Sequence, residues 1–145
     1  MRELVSEFVN YCTTPGDRTP AGLLRLCDRI LGAIHDLPEE FDDVEYPDAP
    51  RDDYLLSRKL IGKVFPNLGF YNLPESVNFQ IAESEIEVGD AIDDITDIVA
   101  DFKDYLWRCE HTSKVEANWQ LLLMFRCHWG RHMRDLQFCL ERIDG

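Results

Sequence analysis

The chain has 145 residues, of which 45% are hydrophobic, and it carries a formal net charge of −13 at pH 7. This length is sufficient to bury a hydrophobic core without a metal or disulfide staple, and the composition excludes wholesale disorder. The negative charge argues against binding to nucleic acid or to an anionic membrane, and it favours a basic protein partner or a bound cation.

The first two predicted helices lie close to the amino terminus. Apolar residues at helical spacing predict a helix over residues 2–12, which the T-T-P-G segment ends. Thr19 is a suitable N-cap with Pro20 at the first helical position, so a second helix is predicted over about residues 20–35. The acidic, proline-broken segment 36–53 predicts a solvated connection, with docking of a basic partner as the alternative.

A third helix is predicted over residues 53–65 and ends at Pro66. The stretch 66–83 lacks clear periodicity but is rich in aromatic and aliphatic residues. This composition predicts a segment that packs over the helices as a lid or plug. No two-residue alternation is convincing anywhere in the chain, so no strand is predicted.

Two long helices are predicted to complete the chain. S-x-x-E capping boxes begin at Ser84 and at Ser113, which predicts helices over about residues 85–110 and 114–143. Their short connection makes them an antiparallel pair. The predicted fold is therefore all-α: a single up-and-down bundle of four to five helices, ending in a long antiparallel helical hairpin and forming one domain over residues 1–145.

Cysteine usage and hydropathy bear on the cellular compartment. The five cysteines contain no C-x-x-C pair, and three of them lie on apolar helical faces, where free cysteine packs as a small hydrophobe. The chain shows neither a secretory signal nor an apolar run long enough to span a bilayer. These features predict a reduced, cytoplasmic protein that does not associate with membranes.

A row of carboxylates lies on the predicted fourth helix, at spacings of four, three, four and three residues. Its members are Asp90, Asp94, Asp97, Asp101 and Asp104. Neighbouring like charges on a helix repel each other by a few tenths of a kcal/mol per pair. Arginines or a divalent cation are therefore expected close to this aspartate row.

The predicted fifth helix carries two histidines four residues apart. His128 and His132 form a row with Asp135 along one boundary of the apolar face. Trp129 lies on the core face, and Arg126 lies on or beside it, where a buried guanidinium requires an anion. With the helices antiparallel, the aspartate row and this Arg/His segment are predicted to lie at one height, with Asp97 level with Arg126, Asp94 with Trp129 and Asp90 near His132.

Two interpretations of this region remain open. The first is a structural polar network, in which Arg126 pairs with Asp97 or Asp94 and the histidines bind carboxylates or carbonyl groups. Its candidate residues are Asp94, Asp97, Arg126, Trp129 and Asp135. The second is a metal site, for which imidazole and carboxylate ligands favour zinc, manganese or iron. Its candidate ligands are His128, His132, Asp135 and Asp94, with Asp90 as an alternative aspartate.

The segments D-D-I-T-D-I-V-A-D-F-K and H-W-G-R-H-M-R-D resemble domain-of-unknown-function family 5063. The family pairs D-D-x-x-D-[IL]-x-x-D-[LF]-K with a downstream H-W-G-x-H-x-x-D. The matching residues of the first segment are Asp93, Asp94, Asp97, Asp101 and Lys103. Those of the second are His128, Trp129, Gly130, His132 and Asp135. The resemblance implies a bacterial, cytoplasmic, mostly helical protein and supplies no activity.

Composition and motifs together favour a non-catalytic protein-binding or regulatory module that requires no cofactor. Its acidic surface would meet a basic protein partner. The alternative is a metal-binding protein or a metal-dependent hydrolase that uses an Asp/His cluster between the last two helices. Whether the protein is an enzyme is left open by the sequence.

Overall fold

The computed structural model describes residues 1–143 and is mostly helical, with 63% of residues in helices. These residues form five helices, the last of which is divided by a π turn, and a small two-stranded antiparallel sheet. The predicted helical character is therefore confirmed, whereas the prediction of a fold without strands is wrong. Among residues 1–143, every helix is too short or too polar to cross a lipid bilayer.

The first two helices follow the sequence pattern closely. Helix α1 spans Arg2–Thr13 and α2 spans Pro20–Ile34. The Thr19 side chain accepts a hydrogen bond from the Gly22 backbone amide at 3.0 Å, which satisfies one free amide of the first turn. Pro20 occupies the first turn, where its missing amide hydrogen costs nothing.

A long connection leads to the third helix. Residues 38–53 contain neither helix nor strand and lie mostly exposed, although the Phe41 ring contacts the Trp119 ring edge-on, with 5.2 Å between centroids. Helix α3 spans Tyr54–Val64, and the Asp53 side chain caps it by accepting from the Leu56 amide. The connection thus runs along the surface of the last helix.

A β-hairpin occupies the region that was predicted as an apolar lid and the start of a helix. Strand β1 (Phe70–Pro74) pairs antiparallel with β2 (Ile86–Asp90), and a 3₁₀ turn over Ile81–Glu83 lies in the connection. The predicted lid is wrong because the apolar side chains of this region point mostly to solvent: Phe79, for example, is fully exposed. The alternation in the short strand Ile86–Asp90 was the overlooked signal.

Helix α4 spans Ala91–His111 and begins six residues later than predicted. Its N-cap is Asp90, whose side chain accepts from the Ile92 and Asp93 amides at 3.0 and 3.3 Å. The capping box predicted at Ser84 is therefore wrong, because that residue precedes β2. The first aspartate of the row serves as a cap instead of a lateral helix residue.

The last helical segment is continuous but not uniform. Helix α5 spans Lys114–Met124, a π turn spans Phe125–Trp129, and α6 spans Gly130–Arg142. The Glu116 amide donates to the Ser113 hydroxyl at 3.0 Å, so the predicted N-cap at Ser113 is confirmed. The Glu116 carboxylate pairs with Arg108 instead of completing the predicted capping box. The π turn was not predicted.

Helix α4 lies at the centre and contacts α1, α3, α5 and α6. The Phe102 ring packs edge-on against the Phe8 ring and the Trp129 ring, at centroid distances of 5.2 and 5.0 Å. All three side chains are fully buried, and the core includes residues from every helix. This packing fixes the distance between α4 and the last helix, on which the site depends.

Candidate metal centre between α4 and α6

Aspartates of α4 face histidines of the last helix. His128 lies in the π turn and His132 lies in the first turn of α6, one helical turn apart, with 5.0 Å between their ring centroids. Asp94, Asp97 and Asp101 lie on successive turns of α4 and approach the two rings.

Each imidazole is held by one carboxylate through its Nδ1 atom. His128 Nδ1 lies 2.7 Å from Asp101 Oδ2, and His132 Nδ1 lies 2.8 Å from Asp94 Oδ1. A carboxylate only accepts hydrogen bonds, so each Nδ1 carries the proton and donates it. The neutral ring then presents an unprotonated Nε2.

The two Nε2 atoms converge on a third carboxylate. Asp97 Oδ2 lies 3.4 Å from His132 Nε2, and Asp97 Oδ1 lies 3.8 Å from His128 Nε2. One ligand atom from each of these three residues lies within 4.8 Å of the other two. Within residues 1–143, neither Nε2 atom makes a hydrogen bond. We call Asp97, His128 and His132 the Asp/His cluster.

The π turn places the histidines on this side of the helix. The Gly130 amide donates to the Phe125 carbonyl, five residues earlier, and a Cβ at Gly130 would lie 2.2 Å from that oxygen. Gly130 is therefore required by the wide turn itself. The Trp129 indole donates to the Leu121 carbonyl at 3.0 Å, which anchors the turn in the core.

Asp94 connects the site to the β-hairpin. Its side chain is almost fully buried and accepts hydrogen bonds from His132 Nδ1 and from the Tyr71 hydroxyl. Burial, together with this bond, raises the pKa of Tyr71, so the hydroxyl remains a donor. Opposite Tyr71 in the sheet is Gly89, where a Cβ would lie 2.4 Å from the tyrosine ring.

Carboxylates dominate the electrostatics of the cluster. The hydrogen bond that His132 donates to Asp94 raises the pKa of His132, and the negative charge of Asp97 adds to the increase. Burial raises the pKa of Asp97 and of Asp101, while the neighbouring histidines partly oppose that increase. The cluster therefore has a surplus of negative charge that a proton or a metal cation would neutralise.

Asp90 and Asp104 of the aspartate row, and the neighbouring Asp93, accept hydrogen bonds from arginine or tyrosine side chains. Asp90 accepts from Arg58 at 2.5 Å, and Asp104 accepts from Arg108 at 2.6 Å. Asp93 accepts from the Tyr54 hydroxyl, and burial raises the pKa of Tyr54 to about 12. Asp94, Asp97 and Asp101 are the aspartates of the row that contact the histidines.

Not every residue predicted for the site joins it. Arg126 is half exposed and pairs with Glu39 in the 36–53 connection, instead of with Asp94 or Asp97.

Asp135 lies 3.8 Å from Arg131 on its own helix and belongs to a cleft of about 300 Å³ next to His132. Trp129 is fully buried in the core, as its position on the apolar face predicted.

The sequence identified neither the carboxylate that holds His128 nor the buried arginine. Asp101 belongs to the predicted aspartate row but not to the predicted site, although it contacts His128. The predicted register sets Asp94 level with Trp129, whereas Asp94 contacts His132, three residues further on. The buried arginine is Arg108, 7% exposed, which pairs with Asp104 and Glu116. Its spacing of four from Asp104 was the available signal.

Comparisons with known proteins show similarity only at the level of the fold. No family model matches the chain, and no curated protein matches it significantly. The crystal structure of protein BF1032 from Bacteroides fragilis superposes with a TM-score of 0.71, over 99% of this chain and 89% of that one. The two sequences are 15% identical, so the similarity establishes a shared fold alone.

Proposed function

We propose that the protein binds one first-row transition-metal dication, such as zinc, manganese or iron, at the Asp/His cluster. The observation that carries this proposal is the orientation of the two imidazoles. Both Nδ1 atoms donate to carboxylates, while both Nε2 atoms face Asp97. A carboxylate that holds a ligating histidine through its second nitrogen is a frequent arrangement around metals, because it orients the ring and makes the ligand more basic.

The spacing of the ligand atoms also supports the proposal. Two atoms bound about 2.05 Å from a tetrahedral metal lie about 3.3 Å apart. The nearest Nε2-to-Asp97 distances, 3.4 Å to Oδ2 and 3.8 Å to Oδ1, are close to that value. One ligand atom from each of the three residues lies within 4.8 Å of the others, so side-chain rotations are needed to bring all three to one ion. The two Nε2-to-Asp97 distances are long for hydrogen bonds, so a purely structural network explains them less well.

The proposed site holds metal by linking α4 to the last helix and leaves coordination positions for water. The cluster residues are partly exposed, with the His128 side chain at 36%. Three protein ligands with open positions are typical of metal-dependent hydrolases as well as of binding proteins. Five of the eleven residues that line the adjoining cleft of about 300 Å³ are carboxylates, which disfavours an anionic substrate there. This supports a metal-binding role more than hydrolysis of such a substrate.

The resemblance to domain-of-unknown-function family 5063 concerns the same residues. Both histidines belong to its H-W-G-x-H-x-x-D segment, and Asp97 belongs to its aspartate segment. We propose that the resemblance reflects this metal site. On this view Gly130, which lies between the histidines, is part of the motif because the π turn needs it.

The test is metal titration of untagged protein, with isothermal calorimetry for zinc and elemental analysis of the dialysed product. Wild type is expected to retain close to one metal ion per chain, and His128→Ala, His132→Ala and Asp97→Asn to retain far less. Two control variants match these substitutions outside the cluster. His111→Ala removes an exposed histidine, and Asp104→Asn changes an aspartate two turns further along the same helix.

Binding that is equally strong in the cluster variants and in the controls would place the metal elsewhere. Absence of binding by wild-type protein in excess zinc, manganese and iron would overturn the proposal. Circular dichroism of each variant establishes that loss of metal is not loss of fold.

A further inference from the structure

The β-hairpin exposes large apolar side chains at a density that folding does not explain. Six of them are at least 69% exposed: Phe70, Val77, Phe79, Ile81, Ile86 and Val88. Monomeric proteins seldom leave contiguous apolar patches of more than a few hundred Å² in solvent, and larger patches mark interaction sites. We call these six residues the hairpin patch.

The strand register makes part of this patch contiguous. Ile86 and Val88 lie two apart on β2 and therefore on one face. Phe70 pairs with Asp90, which makes it the diagonal neighbour of Val88 across the two strands. The opposite face of the sheet carries Leu73, which is buried. One face thus packs on the protein and the other is available to a partner.

A groove at the base of the hairpin adjoins the patch. It has a volume of about 400 Å³ and lies between the strands and the end of α6, with Leu73, Ile86 and Phe138 in its walls. The guanidinium of Arg142 stacks on the Phe138 ring at its rim, 4.8 Å from the centroid. A cavity of this size and character accepts an apolar side chain.

Charge identifies the kind of partner. From residue 64 to residue 102 the chain has nine carboxylates and no lysine or arginine. Three of these carboxylates flank the patch: Glu75, Glu83 and Glu85. A second copy of the chain would bring the same negative surface against itself, and like charges across an interface disfavour association. Nucleic acid and anionic lipid are disfavoured for the same reason.

We infer that the hairpin patch is the docking surface for a basic segment of another protein that carries apolar anchor residues. The anchors cover the exposed face and enter the groove beside α6, while lysine or arginine residues meet the flanking glutamates. The hairpin patch and the Asp/His cluster share no residue, so each can be altered by its own substitutions.

The test uses a short fluorescein-labelled peptide of alternating leucine and lysine, titrated with full-length protein by fluorescence anisotropy. Peptides of alternating serine and lysine and of alternating leucine and glutamate serve as composition controls. The double variant Ile86→Thr/Val88→Thr removes apolar side chains from the patch while keeping strand-forming residues. The matched control is Leu55→Thr/Leu60→Thr, which changes exposed leucines on α3.

We expect the leucine-lysine peptide to bind wild type and the α3 variant alike. Binding should be at least about tenfold weaker for the hairpin variant and for both control peptides. Equal binding of the serine-lysine peptide would mean that unspecific attraction to an acidic protein accounts for the affinity, which overturns the inference. Absence of peptide binding, or a wild-type dimer that the hairpin substitutions dissociate in light scattering, would also overturn it.

Discussion

Asp94 is a buried carboxylate that serves two donors at once, which makes it the residue that positions His132. If the cluster binds metal, Asp94→Asn keeps the shape but removes the charge that strengthens the imidazole ligand. We expect zinc affinity to fall about 10- to 100-fold, the usual effect of losing such a supporting carboxylate. Competition calorimetry measures this, and Asp104→Asn on the same helix should keep wild-type affinity. Equal affinity of both variants contradicts the role given to Asp94.

The raised pKa of His132 has a consequence for the metal-free protein. A folded-state pKa above the unfolded value of about 6.5 contributes stability that is fully present below pH 6.5 and is lost as the pH rises through the raised value. Asp93, Asp94 and Asp97 are the charges that favour the imidazolium. Denaturation in the presence of a chelator should show the free energy of unfolding decreasing over this range, and His132→Gln should reduce the decrease. If the free energy of unfolding of His132→Gln depended on pH as it does in wild type, the raised pKa would not belong to His132.

Arg108 and Arg126 allow a direct comparison between a buried and an exposed ion pair. Arg108→Met leaves Glu116, which is 8% exposed, without its cation, so we expect a loss of about 3–5 kcal/mol in the free energy of unfolding. Arg126→Met breaks a pair whose side chains are both more than half exposed and should cost less than about 1 kcal/mol. Urea denaturation measures the loss in the free energy of unfolding for each variant. Losses of similar size would contradict the larger cost expected from breaking the buried ion pair.

At the scale of elements, Gly130 is expected to be indispensable for the π turn. Gly130→Ala places a Cβ against the Phe125 carbonyl and should destabilise the protein by about 1–3 kcal/mol. Gly32→Ala in α2 is the matched control, because a Cβ there meets nothing within 4 Å and alanine favours helix by about 1 kcal/mol. Thermal denaturation should move the two variants in opposite directions. A stabilised Gly130→Ala would mean that the wide turn relaxes without cost.

Periodicity predicted the helices because their buried faces repeat at helical spacing, as in α2, whose bounds match the prediction within one residue. The hairpin escaped prediction because the alternation in Ile86–Asp90 covers only five residues and the stretch 66–83 has no clear periodicity. The π turn escaped because the apolar residues at 125, 129 and 133 fit an ordinary helix. Local sequence carries little information about either feature.

The histidines of the cluster could be singled out from sequence because an i, i+4 pair on one helix needs no tertiary information. Their aspartate partners could not be assigned with the same accuracy. Axial register and rotation between α4 and the last helix are set by core packing around Phe102 and Trp129, and the π turn adds its own displacement. The sequence therefore predicted the residue types at the site, whereas the pairing required the structure.

At the scale of the whole molecule, a bound metal would join α4 to the last helix and so stabilise the folded protein as a whole. At a free metal concentration of about one hundred times the Kd, stabilisation is about 2.7 kcal/mol, or about 5–10 °C in Tm for a protein of this size. Differential scanning calorimetry with zinc and then with chelator measures this increase. The increase should disappear in Asp97→Asn, and its persistence there would place the stabilising ion outside the cluster.

The π turn also bears on which sequence changes can be tolerated during descent. A wide turn of this kind holds one more residue than the α turn it replaces, so a single-codon deletion within 125–127 would restore regular helix and keep both histidine codons. Five residues of π helix and four residues of α helix turn the chain through nearly the same angle, so α6 would keep its orientation relative to α5. The close approach between a Cβ at Gly130 and the Phe125 carbonyl would be relieved, because that approach belongs to the wide turn. Homologues that lack the extra residue should therefore accept larger residues at the position of Gly130.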